Sequence, residues 1–77
     1  MDIQLADVTV HINESLDARR RESIESRLRA IDGVVSVHNP EERPHLSIIQ
    51  YVPFKASSHQ ILSTLKAEGV HAELVGL

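Results

Sequence analysis

Five histidines, His11, His38, His45, His59 and His71, are spread over 77 residues that include no cysteine. Neutral imidazole is a nitrogen donor for transition metals and, in other settings, a general base. These five stand far apart along the chain, so only the fold could gather them. A second chemical feature is local. The stretch "ESLDARRRESIES" sets Arg19, Arg20 and Arg21 in a row where a helix is expected to begin. The positive end of the helix dipole lies there, so cations are mildly unfavourable in that turn. Two readings of the run stand side by side. It is a solvated face offset by Asp17, Glu22 and Glu25, or it is an anion or partner contact that combines guanidinium charge with the free N–H groups of the helix start.

The elements that must position these residues follow from hydrophobic periodicity. Ala6 to Ile12 alternates, with Val8, Val10 and Ile12 on one side and Asp7, Thr9 and His11 on the other, as in a strand with one wet face. Asp17 suits a helix N-cap. From Ala18 to Ile31, the residues Ile24, Leu28 and Ile31 form an apolar stripe. Glu25 and Arg29 add an i,i+4 pair, and Gly33 suits a left-handed C′ position. "VVSVH" and "HLSIIQY" are expected as two strands, interrupted by the prolines of "NPEERP". Ser57 and Gln60 form a capping box ahead of Ile61 and Leu65, Gly69 ends that helix, and "VHAELVGL" alternates as a last strand.

The order is therefore βαββαβ, and its halves echo one another: Ile24-x3-Leu28 leads to Gly33-Val34, and Ile61-x3-Leu65 leads to Gly69-Val70. This predicts an α+β, ferredoxin-like sandwich made of one domain, residues 1–77. Its four-stranded antiparallel sheet has the order 4-1-3-2, with both helices on one face and the other face open.

Composition narrows the function. The chain is 42 % hydrophobic and 25 % charged, with a formal charge of −3, which argues against a nucleic-acid binder. No apolar run reaches the ~20 residues of a membrane span and no signal-peptide pattern opens the chain, so a cytoplasmic protein with no membrane partner is expected. A chain this size buries roughly 60–65 % of its unfolded surface, enough for one thin core. Aromatics are scarce, and aliphatic side chains must fill it.

On these residues the chain resembles the heavy-metal-associated domain of copper chaperones and metal-pumping ATPases, over nearly its whole length. Ile24, Leu28, Gly33, Val34 and Val37 match that family's helix stripe and Gly-Val strand start. Tyr51-Val52-Pro53, Ser57, Ile61 and Gly69 match its second half, with valine where the family has aspartate. Counted back from Ile24, the family's Cys-x-x-Cys falls on Asp17 and Arg20. A carboxylate and a guanidinium cannot replace the thiolates that Cu(I) prefers. The resemblance therefore implies a metal-domain fold whose usual ligands are missing.

In such a sheet the end of strand 1, the end of strand 2 and the starts of strands 3 and 4 share one edge. That edge carries the metal loop in the resembling family. It would hold His71, His11, His45 and His38 in that order, all on the open side if the neighbouring aliphatic residues face the helices. Adjacent strands are ~4.8 Å apart, so neighbouring imidazoles could share an ion. Zn, Ni, Co or Cu(II) is the expected ion; Cu(I) is disfavoured. His11 and His45, on the central strands, lead the set; Glu73 and Asn13 are nearby polar residues, and His59 lies at the opposite end. The rival reading is a metal-free interaction module or homodimer. It would contact a protein partner through Arg19, Arg20, Arg21 and an open-face patch of Val34, Ile49, Tyr51 and Val75. Catalysis is not expected. The arginines and Asn13 only faintly resemble the acylphosphatase loop, and no glycine-rich phosphate loop, nucleophile or carboxylate pair accompanies them.

Overall fold

The computed structural model describes residues 4–75. The elements are β1 (Ala6–Ile12), α1 (Ala18–Arg29), β2 (Val34–His38), β3 (Leu46–Tyr51), α2 (Ser58–Ala67) and β4 (Ala72–Val75). They form one sheet in the order β2-β3-β1-β4, with every neighbouring pair antiparallel. This is the ferredoxin-like arrangement expected from the periodicity. The core is aliphatic. Val10, Ile12, Val37, Ile49 and Val70 from the sheet and its flank meet Ile24 and Leu28 of α1 and Ile61 and Leu65 of α2.

Both helix starts are capped as the sequence suggests. The Asp17 carboxylate accepts from the Arg20 N–H at 2.7 Å, and the Ser57 hydroxyl accepts from the Gln60 N–H at 3.0 Å. Gly69 follows the C-cap of α2 with φ 85°, the left-handed stop expected there. Gly33 is also left-handed, at φ 102°, but α1 ends earlier, at Arg29, and Gly33 instead turns the chain into β2. A Cβ at Gly33 would lie 2.7 Å from that of Lys55, so close packing as well as φ demands glycine here.

The alternation of β3 differs from the one expected. Val10 pairs with Ser47 and Val8 with Ile49, so Ser47 and Ile49 face the helices and both are buried. Leu46 and Ile48 face the open side. The doublet Ile48-Ile49 is compatible with either parity, and pairing to the Val8-Val10-Ile12 face of β1 selects the one that buries Ile49. A register shift between Val34 and Ser36 bulges β2 at Val35, so that Val34 and Val37 both pack inward. The patch expected of Val34, Ile49, Tyr51 and Val75 is corrected accordingly. Ile49 is wholly buried, Val34 and Tyr51 pack against the core, and only Val75 is exposed, opposite Thr9. Among the described residues, Leu46 and Ile48 on β3 and Val75 on β4 present apolar side chains on the open face.

Candidate metal centre

β1 carries His11 outward between the buried Val10 and Ile12, and its cross-strand neighbours are Leu46 on β3 and Glu73 on β4. His45 stands one residue before β3, where pairing to β1 is closed by the Ile12 N–H donating to the His45 carbonyl at 2.8 Å. Strand alternation does not govern its side chain there, and its ring lies against that of His11. The two ring centroids are 5.8 Å apart and the planes are 25° from parallel. Two imidazoles separated by 33 residues thus stack at one rim.

The hydrogen bonds distinguish the two rings. His45 Nδ1 is 2.8 Å from the Ile12 carbonyl. A carbonyl only accepts, so Nδ1 carries the proton, and in the neutral ring Nε2 keeps its lone pair. A backbone contact of this kind fixes the orientation of metal-ligating histidines. His11 is the looser of the two. Its Nδ1 is buried without a hydrogen-bond partner, and the Glu73 carboxylate oxygen Oε1 is 3.9 Å away. One ring is pinned by the backbone; the other has no hydrogen-bond partner at Nδ1.

The remaining histidines do not join this pair. His38, exposed at the end of β2, lies opposite Ile48, one row further along the open face. His71 precedes β4 and is held by a residue that sequence reasoning missed. The Glu14 carboxylate accepts from His71 Nδ1 at 2.6 Å and from the His71 backbone N–H at 2.8 Å. The bond to the ring, followed by the one to the backbone, holds the Glu14 carboxyl below the usual carboxylate range. Only the crossing of the β1–α1 loop over the start of β4 brings these two together, 57 positions apart, and no local pattern signals it. His71 and Glu73 line a cleft of about 440 Å³ beside the end of α2. Among the described residues, no group of three or more His, Cys, Asp or Glu side chains is placed to hold a metal ion.

The arginine run has structural partners. Arg20 reaches from the first turn of α1 to the end of α2, where its guanidinium donates to the Glu68 carbonyl and lies 3.5 Å from the Glu68 carboxylate. Arg27 approaches the same carboxylate at 3.6 Å. The cation that is misplaced for its own helix dipole therefore sits at the negative end of the other one. Arg21 donates to the Leu16 carbonyl at 3.2 Å, while Arg19 is exposed. Asp17 and Arg20, the positions where the resembling family has its cysteines, act here as a cap and a tether. Neither offers a donor suited to Cu(I).

Comparison with solved structures gives this architecture a context. The N-terminal domain of a potential copper-translocating P-type ATPase from Bacillus subtilis, in its Cu(I)-loaded state, superposes with a TM-score of 0.82 at 21 % identity, covering 92 % of this chain and 88 % of that one. A copper-binding domain from HMA7, a P-type ATPase, gives 0.81 at 17 % identity over 91 % and 93 % of the two chains. The chain has their fold. Oxidised MerP from Ralstonia metallidurans CH34 shares it as well, with a TM-score of 0.80 at 13 % identity over 92 % and 97 %. The likeness to heavy-metal-associated domains is thus borne out as a likeness of fold. No family model matches the sequence, and no curated protein does. Among the described residues, no helix is long and apolar enough to cross a membrane.

Proposed function

We propose that this domain binds a divalent transition-metal ion, Zn(II), Ni(II), Co(II) or Cu(II), through the imidazoles of His11 and His45, as a cytoplasmic binding protein rather than an enzyme. The observation that carries the reading is the stacked pair itself, with His45 Nδ1 committed to the Ile12 carbonyl and Nε2 left as a lone-pair donor. The fold shared with copper-binding domains supports a metal role. The imidazole donors and the lack of cysteine favour borderline divalent ions over Cu(I). Sharing one ion requires the unpartnered His11 ring to tilt toward the held His45 ring. Binding weakens in acid, because protonated imidazole has no lone pair to give.

The test is a Zn(II) titration followed through the imidazole nitrogens by NMR, in wild type and in the His11→Ala/His45→Ala double variant. Shifts at both rings in wild type, lost in the double variant, support the proposal. Unmoved rings, or equal affinity in the variant, overturn it.

A second reading is a metal-free interaction module. It is favoured by the Asp17 cap and Arg20 tether in the loop, by the uncovered Ile48 and Val75, and by Arg19, which remains to meet a partner. Thermal stability separates the two. A metal binder gains stability with ligand excess, and an interaction module does not respond.

A further inference from the structure

We infer that the domain completes its metal site with a second copy of itself, two His11–His45 pairs meeting across a twofold axis around one ion. This rests on the imidazole reading above and adds the partner to it. The argument begins with coordination number. A zinc-type ion is bound by four ligands in a closed site. The rim supplies two imidazoles, and no larger donor group occurs among the described residues. A twofold interface presents the same patch from both subunits, so two donors become four without any further residue type.

The surroundings of the pair suit such a contact. Leu46 lies directly across from His11 on the open face, and Ile48 and Val75 occupy the next row, 37 % and 40 % exposed. Apposing two copies would cover these aliphatic side chains. Glu73 flanks His11 on its other side. The twofold would bring the Glu73 carboxylates of both copies toward the same centre, where their repulsion opposes association until a cation lies between them. The ion is then the switch for pairing, and the apo domain is a monomer.

The experiment uses the full chain with Zn(II) alone, reading mass by sedimentation velocity and stoichiometry by calorimetry. The expected result is a rise from 8.6 kDa to twice that, saturating at half an ion per chain and reversed by chelator. His11→Ala and His45→Ala each abolish the doubling. Ile48→Lys, on the exposed surface, also prevents it while leaving the apo circular dichroism unchanged. One ion per chain at unchanged mass overturns the paired site and leaves the two-imidazole site standing. Absence of Zn(II) binding overturns both. A mass already doubled without metal and insensitive to chelator overturns the claim that the ion closes the pair.

Discussion

Replacing Asp17 and Arg20 together by cysteine tests whether the loop between β1 and α1 is held by its cap and tether. Asp17→Cys removes the acceptor for the Arg20 N–H, and loss of an N-cap typically costs ~1 kcal/mol. Arg20→Cys removes the hydrogen bond to the Glu68 carbonyl and the 3.5 Å ion pair. Charged hydrogen bonds are worth about 1.5–3 kcal/mol, but the Arg20 side chain is 41 % exposed, and solvent screening brings this to about 1 kcal/mol. The double variant should therefore lose about 2 kcal/mol. With a urea m-value of about 1 kcal/mol/M for a small domain, its midpoint falls by about 2 M. The melting temperature falls by about 8–16 °C on the usual scaling for this size. Urea denaturation of the apo, reduced protein is the assay, with Glu68→Gln added to isolate the Arg20 coupling in a double-mutant cycle. The new thiolates should then recover stability on adding Cu(I), in proportion to ligand excess. A midpoint unchanged from wild type would refute the view that the cap and tether hold this loop. A folded variant that ignores Cu(I) would refute the placement of the two positions.

Three further outcomes follow from the geometry. Gly33→Ala should cost more than Gly69→Ala in thermal melts. Both force alanine to positive φ, at roughly 1–2 kcal/mol, but only the Gly33 Cβ would crowd Lys55 and Ala56, while nothing lies within 4 Å of the Gly69 one. Leu65→Ala, at a fully buried site, should lose about 2–5 kcal/mol in urea, whereas Phe54→Ala, 94 % exposed, should change stability by no more than about 0.5 kcal/mol. Glu14 has a carboxyl held below its ordinary value of 4.5 in the fold, so its contribution is present above that value and fades as pH falls through the folded one. Glu14→Gln should thus melt below wild type near neutrality, with the gap closing in acid; a gap independent of pH would contradict the His71 contact as its cause.

The fold was legible because its local signals agree. Two stripes of Ile and Leu, two caps, and glycines after each helix all point to the same βαββαβ order. The facing of β3 was not legible, since Leu46, Ile48, Ile49 and Tyr51 place apolar residues on both parities. Ser47, buried at 7 % exposure, is too small and polar to announce its side. The bulge at Val35 has no glycine or proline to mark it. Of the candidate site, the meeting of His11 and His45 was expected from topology. Its cause differs: His45 lies just outside the strand, where a backbone carbonyl rather than alternation directs the ring. Glu14 was missed because its partnership with His71 depends on a loop crossing that no spacing encodes.

The two βαβ halves that echo each other in sequence are not two modules. β1 pairs with β3 and β4 and never with β2, so each half finds its hydrogen-bonding partners in the other. A chain emerging from the ribosome can zip β2 to β3 and then dock β1. The second flank of β1 stays bare until residues 72–75 arrive. The sheet is thus complete only once β4 is in place, and a chain cut between β3 and β4 would leave β1 as an edge strand with one flank unpaired.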